Sequence, residues 1–176
     1  MEFQKLLFKR KSIRKYQNKS IEPAKVEQLK KAALLSPTGK RKNHWDFIFI
    51  ENKETLKHLS ESKMHGSKLI GNAALAVAVI GDSEVSDTWI EDCSIASIML
   101  QLQGEDLGLG SCWVQINKRA HDENTMAEDY VKELLKIPED KNVLSIVAFG
   151  YPDEKRPANN EDELLWNKIH TNIYGH

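Results

Sequence analysis

The spacing of apolar and polar residues divides the chain into alternating helices and strands. In residues 21–36, Val26, Leu29 and Ala33 form one apolar stripe, and Pro23 suits a first helical turn. Residues 87–107 show the same spacing over a greater length and end in a glycine-rich stretch, as helices commonly do. Both segments are predicted to be helices, and shorter helices are predicted at 3–10, 53–62 and 123–137.

Four β-rich segments lie between or after these helices. They are predicted as strands at 46–51, 74–82, 111–116 and 142–152. The second is apolar without alternation, which is typical of a strand buried on both faces. This order of elements predicts an α+β fold with a mixed sheet. The polar region after the last strand contains an apolar cluster, from which we expect it to pack against another surface: Leu164, Leu165, Trp166 and Ile169.

The composition restricts the class of protein. The 176 residues, 40% of them hydrophobic, suffice for one buried domain over 1–176 but not for two ordinary ones. A net charge of −1 argues against a dedicated nucleic-acid-binding protein. Cys93 and Cys112 form no CxxC pair, so we expect no disulfide framework and a cytoplasmic location. No segment resembles a signal peptide or a membrane span.

No catalytic side chain or metal ligand is predicted. The six histidines show neither HxH nor HExxH spacing, and the chain has no GxSxG, P-loop or GxGxxG motif. Both cysteines fall in predicted core elements, where buried and unreactive thiols are usual.

A basic segment is the clearest candidate for chemistry. Between Lys5 and Lys19 there are seven Lys or Arg residues and no acid. In an extended chain, Arg10, Ser12 and Arg14 would face one side and could bind a phosphate through charge-assisted hydrogen bonds. Lys155 and Arg156, after the last strand, could add cations. Residue type alone leaves one alternative open, which is that this segment is an ordinary solvated basic surface.

Four motifs in this order resemble the FMN-dependent nitroreductase family: RKSIR (10–14), SPTGKRKNHWDFIFI (36–50), DLGLGSCWVQI (106–116) and FGYPDEKRP (149–157). The resemblance spans residues 3–157. It implies a nitroreductase-like three-layer α+β fold, with a central mixed, mainly antiparallel sheet flanked by helices. It also implies an intertwined homodimer with FMN sites at the subunit interface, and a tail, 158–176, that packs on the partner subunit.

The resemblance also implies roles for particular residues. Those expected to hold the phosphate and ribityl chain are Arg10, Lys11, Ser12 and Arg14, with Lys155 and Arg156 approaching the same phosphate. Those expected to reach the cofactor of the partner subunit are Pro37, Thr38, Gly39 and Asn43. The backbone N–H of Gln115 is expected to face flavin N5. The remaining lysines of the basic segment are expected to be ordinary solvated residues: Lys5, Lys9, Lys15 and Lys19.

The segment SPTGKRKNHW (36–45) departs from the family pattern at three positions. Arg41 replaces an Asn, Asn43 a Gln and His44 a Pro. Trp45 and Trp113 could flank the flavin or serve the core, and residues 63–68 are a further candidate for ribityl contacts.

The implied activity is electron transfer from NAD(P)H through FMN to a small acceptor such as a nitroaromatic or quinone. Flavin would carry the redox chemistry, which agrees with the lack of catalytic side chains. The alternatives are a flavin-binding protein without efficient turnover and a nucleic-acid- or anion-binding module on the same fold.

Overall fold

The computed structural model describes residues 2–175. Met1 and His176, which belong to the predicted domain and tail, lie outside the described residues. The helices and strands, in chain order, are α1 (Phe3–Lys9), α2 (Pro23–Leu34), β1 (Asp46–Ile50), α3 (Lys53–Leu59), β2 (Leu75–Gly81), α4 (Trp89–Asp106), β3 (Gly110–Gln115), α5 (Ala127–Leu135) and β4 (Asn142–Gly150). Every predicted helix and strand is present, with ends that differ by a few residues.

The strands form one sheet in the order β1-β2-β4-β3, and each neighbouring pair is antiparallel. Within residues 2–175, parallel pairing is limited to a bridge between Ser12 and Ser111. It extends no further because the chain then crosses to the end of β4, where Tyr16 pairs with Pro152 in antiparallel fashion. The predicted α+β fold is therefore confirmed, but the prediction of a mixed sheet is wrong for the four strands themselves.

Helices cover both faces of the sheet and create three layers. On one face, Leu56 of α3 and Val131 of α5 pack against strand residues such as Ile146 of β4. On the other face, α2 and α4 do so through Leu29, Leu100 and others. All seven residues of β2 are buried, as its apolar run predicts for a strand covered on both sides.

The tail after residue 157 makes few contacts with its own chain. The N–H of Asn159 donates to the carbonyl of Phe8 at 2.8 Å, and beyond this point the apolar side chains face solvent. The exposed fraction is 66% for Trp166, 68% for Ile169 and 89% for Tyr174. An exposed apolar cluster of this kind is typical of a contact surface, so the predicted packing on a partner subunit stays a prediction.

Candidate cofactor site

The basic segment is extended and held by backbone hydrogen bonds. Helix α1 ends where Arg10 adopts φ −56° and ψ 121°. The N–H of Ile13 then donates to Ser111, and that of Gln17 to Tyr151, each at 2.9 Å. A Cβ at Gly110 would lie 2.7 Å from Ile13, so this close approach to β3 requires glycine. Burial of Ile13 turns its neighbours on either side outward.

The structure brings most of the predicted phosphate-binding residues into one cleft. This cleft, which we call the claw, has a volume of about 430 Å³ and is lined by Arg10, Lys11, Ser12, Arg14, Arg156, Pro157 and Asn159. Lys155 lines an adjoining cleft of about 490 Å³, which it shares with Lys11 and Arg156. Residues separated by some 140 positions therefore meet at one edge of the sheet.

Ion pairing distinguishes three lysines of the basic segment from its two arginines. Lys5 pairs with Glu2 at 3.2 Å, Lys9 with Glu105 at 3.1 Å, and Lys19 with Glu22 at 3.6 Å. By contrast, the guanidinium groups of Arg10 and Arg14 make no hydrogen bond or ion pair with any residue in 2–175. Unpaired guanidinium groups beside a hydroxyl are suited to binding an anion such as a phosphate.

Glu154 organises the claw and was not predicted from the sequence. Its Oε1 accepts the N–H groups of Arg14 at 2.6 Å and Lys15 at 3.2 Å. Its Oε2 accepts from Arg156 Nε at 2.9 Å and lies 2.8 Å from a terminal guanidinium nitrogen. The hydrogen bond from the Arg14 N–H, above all, holds the pKa of Glu154 below its ordinary value. The two acids that precede Lys155 and Arg156 in the DEKR motif were the available signal.

Gln115 offers a backbone donor at an open strand edge. The N–H of the next residue, Ile116, donates to Leu144 at 3.0 Å. Since successive N–H groups of a strand point in opposite directions, that of Gln115 points away from β4. Strand β3 is the last of the sheet, and no strand within 2–175 covers its outer edge at this position. The Gln115 side chain is occupied, because it accepts from Trp113 Nε1 at 3.0 Å and donates to Asn117 at 3.1 Å.

The loop of residues 37–43, which we call the SPT loop after the sequence Ser36-Pro37-Thr38 at its start, has many polar groups that form hydrogen bonds within the protein. The hydroxyl of Thr38 accepts the Asn43 N–H at 3.0 Å and donates to Asn43 Oδ1 at 3.2 Å. The Gly39 N–H donates to both carboxylate oxygens of Asp92 at 3.1 Å. A Cβ at Gly39 would lie 2.7 Å from Thr88 Oγ1. The N–H of Gly39 thus binds helix α4, while Pro37 is exposed.

Within one chain, the SPT loop and the claw lie at opposite ends of the sheet. Asp46, just after the loop, pairs with Ile80, which lies opposite Val143. Ser12 pairs with Ser111, which lies opposite Phe149. The six residue steps from Val143 to Phe149 correspond to about 20 Å along β4. One chain therefore does not bring the two sets of predicted cofactor residues together.

The remaining candidates are mostly occupied in the core. Trp45 and Trp113 both pack against the α2–α4 side of the sheet. In the 63–68 segment, Ser67 is buried and its hydroxyl donates to Ser60 at 2.8 Å. Burial raises the pKa of the Cys93 thiol to about 12 and raises that of Cys112 as well.

Two further features are absent from the described residues. Across residues 2–175, no group of three or more His, Cys, Asp and Glu side chains is placed to hold a metal ion. None of the helices in that range combines the length and hydropathy that crossing a membrane requires.

Comparison with known proteins agrees with the fold and the motifs. The Nitroreductase family profile matches residues 7–151. A solved FMN-dependent nitroreductase of Clostridium difficile R20291 is 43% identical, with a TM-score of 0.95, covering 96% of this chain and 98% of that chain. A curated protein of Archaeoglobus fulgidus with the provisional name NADH dehydrogenase/NAD(P)H nitroreductase is 36% identical over 171 residues, 94% of this chain and 95% of that protein. The chain belongs to the nitroreductase family, and the resemblance found in its four motifs is confirmed.

A third relative shows how well the architecture is kept at lower identity. A solved structure from Bacteroides thetaiotaomicron, under the same provisional name, is 29% identical with a TM-score of 0.89 and covers 99% of both chains.

Proposed function

We propose that this protein binds FMN and transfers electrons from NAD(P)H to a small organic acceptor, such as a nitroaromatic or a quinone. The observation that carries the proposal is the claw, where Arg10 and Arg14 present unpaired guanidinium groups beside Ser12. Membership of the nitroreductase family, with an FMN-dependent relative at 43% identity, supports the choice of ligand.

The residues present fit FMN at both of its ends. A phosphate dianion in the claw would accept charge-assisted hydrogen bonds from Arg10, Ser12 and Arg14, each contributing about 1.5–3 kcal/mol. Gln115 lies four residues along β3 from Ser111, or about 13 Å. A ligand anchored by its phosphate can therefore run along the open edge and accept the Gln115 N–H through its ring.

Bound FMN would supply the redox chemistry, and the chain would supply binding, orientation and electrostatics. In this proposal Lys11 and Lys155 add positive charge around the phosphate, and Arg156, whose charge is paired with Glu154, lines the same cleft. The Gln115 N–H fixes the position of the ring relative to the strand edge.

A spectrum of the purified protein tests this proposal. We expect a yellow protein whose flavin absorbance bleaches when NAD(P)H is added anaerobically and returns when an acceptor follows. A colourless protein that takes up no added FMN would contradict the proposal. Steady-state oxidation of NAD(P)H separates an enzyme from a flavin-binding protein without efficient turnover.

We further propose that the site is completed in a homodimer, with the SPT loop of one chain beside the claw of the other. The separation of about 20 Å along β4 within one chain supports this arrangement. The exposed apolar tail, with Trp166 and Ile169, offers a surface for packing on the partner. A cytoplasmic location, expected from the two free cysteines, is part of the same proposal.

Complementation between subunits tests the shared site. One variant carries Arg10→Ala and Arg14→Ala, and a second carries Thr38→Ala and Asn43→Ala. Each alone should bind FMN poorly, whereas co-expressed mixed dimers should regain one intact site of two. A lack of recovery in mixed dimers that demonstrably form would show that claw and loop serve different sites.

The ion pairing of the basic segment weighs against the nucleic-acid-binding alternative. Lys5, Lys9 and Lys19 each have a carboxylate partner, which leaves a compact cationic cleft rather than a long charged face. Binding of RNA with a steep dependence on salt would restore that alternative.

A further inference from the structure

A buried contact between Asp92 and His44 ties the SPT loop to helix α4. The His44 Nε2 atom lies 2.8 Å from Asp92 Oδ2, with 0% and 6% of the two side chains exposed. Asp92 also accepts the Gly39 N–H, at 3.1 Å to each oxygen, and the Thr88 hydroxyl at 3.2 Å. One carboxylate therefore holds residue 39, near the start of the loop, and residue 44, directly after it.

The surroundings keep this carboxylate ionised at neutral pH. Burial by itself would raise the pKa of Asp92, but hydrogen bonds from His44, Gly39 and Thr88 outweigh it and leave the pKa below its ordinary value. Asp92 also lies in the first turns of an 18-residue helix, where the helix dipole favours negative charge. An ionised carboxylate only accepts hydrogen bonds, so Nε2 of His44 is the donor. His44 Nδ1 is buried and has no hydrogen-bond partner within the described chain.

The loop has a backbone that needs such support. Lys40, Arg41 and Asn43 adopt φ values of 53°, 54° and 46°, in the left-handed region that residues with a Cβ rarely adopt. Three successive cations at 40–42 also repel one another. A strained conformation of this kind persists only where neighbouring groups determine it, and the Asp92 carboxylate is the buried group that joins its two ends.

We propose that Asp92 and His44 are positioning residues. They do not contact FMN themselves, but they hold the SPT loop in the conformation that contacts bound FMN. This inference rests on the proposed function, because it concerns the same site. It also explains how His44 can occupy a position where the resemblance implies a proline. The buried hydrogen bond to Asp92 restrains the backbone there, as the pyrrolidine ring of a proline would.

The test compares Asp92→Ala, Asp92→Asn and His44→Ala with the unaltered protein. In Asp92→Ala and His44→Ala, the dissociation constant of FMN from the apoprotein should rise by at least about ten-fold, the equivalent of one lost charge-assisted hydrogen bond. In Asp92→Asn, the amide oxygen can still accept the Gly39 N–H, and the amide nitrogen can donate to the other tautomer of His44. We therefore expect Asp92→Asn to recover most of the affinity.

Ser97→Ala is the matched control. Ser97 is also buried on α4, where its hydroxyl donates to Cys93 at 2.8 Å and does not touch the loop. It should lower the melting temperature but leave the affinity for FMN unchanged. If Ser97→Ala weakens FMN binding as much as Asp92→Ala at an equal loss of stability, the role of Asp92 is only structural and the inference fails.

Limited proteolysis of the apoprotein gives a readout that needs no cofactor. Trypsin cuts after Lys40, Arg41 and Lys42, and these bonds should be cleaved several-fold faster in Asp92→Ala than in Ser97→Ala. If Asp92→Ala does not fold, His44→Ala carries the same comparison, with Asp92→Asn as the conservative variant that should behave like the unaltered protein. An unaltered protein that binds no FMN would contradict the proposed function. Unchanged FMN affinity and unchanged cleavage in the variants would overturn the positioning role alone.

Discussion

The claw and the SPT loop are both shaped by a carboxylate, but they use their polar groups in opposite ways. In the claw, Glu154 and the neighbouring strands hold the backbone, and the guanidinium groups of Arg10 and Arg14 stay unpaired. In the loop, Asp92 takes up the Gly39 N–H and the His44 ring. The two arginines of the claw are thus available to bind a ligand, whereas the conformation of the loop is maintained by contacts within the protein.

The largest effect should come from removing the free charges of the claw. Replacing both Arg10 and Arg14 with Ala removes two charge-assisted interactions, together about 3–6 kcal/mol, so FMN affinity should fall by about a hundred-fold or more. Fluorescence titration of the apoprotein measures this loss.

The paired lysines of the same segment supply the control. Replacing Lys5 and Lys19 with Ala removes exposed ion pairs and the contact of Lys19 with the Tyr151 ring, whose contributions are typically small, so the affinity should stay within about two-fold. Release of FMN from the lysine variant, with retention in the arginine variant, would reverse the assignment.

An intermediate effect should follow from crowding the loop at Gly39. The Cβ of Gly39→Ala would lie 2.7 Å from Thr88 Oγ1, and overpacking of this kind typically costs about 1–3 kcal/mol. Denaturant unfolding should show this loss of stability. In a double-mutant cycle, Thr88→Ala removes the crowding atom, so the double variant should lose less than the sum of the two single variants. Strict additivity would mean that this close approach does not determine the residue at position 39.

The smallest effect concerns the pH dependence that Glu154 adds to the claw. Because its folded-state pKa is below the ordinary value of about 4.3, its contribution to stability is present at higher pH and is lost as pH falls through the folded value. Acid unfolding below about pH 4 should therefore be shallower in Glu154→Gln than in the unaltered protein. Glu2→Gln, which breaks only the exposed pair with Lys5, should leave the profile unchanged. Identical profiles for all three proteins would show that Glu154 does not organise the claw.

Local patterns predicted much of this molecule. The apolar stripe of α2, the continuous apolar run of β2 and the alternation of Arg10, Ser12 and Arg14 are each contained in a short stretch of chain. The side-chain period of a helix or an extended strand therefore predicts which face each residue occupies. The mixed sheet was wrongly predicted because strand direction was inferred from the order of helices and strands, whereas each strand pairs antiparallel with its neighbour and local spacing does not determine that direction.

The contacts that shape the site could not be predicted, because they join distant parts of the chain. Asp92 is 48 positions from His44, and Glu154 is 140 positions from Arg14. In the sequence, Asp92 is an acid near a helix start and Glu154 is the second of two acids before a pair of cations. Only folding places backbone N–H groups against their carboxylates.

The sequence by itself determined the elements, the α+β class and the alternation of Arg10, Ser12 and Arg14 in an extended segment, since these follow from residue type and local spacing. Only the tertiary structure decided which cations remain free, because each ion pair depends on which carboxylate packing brings within reach. Only the tertiary structure separated the SPT loop from the claw along β4, because strand order and register are properties of the whole sheet. That separation is the physical reason to look for the complete site between two chains.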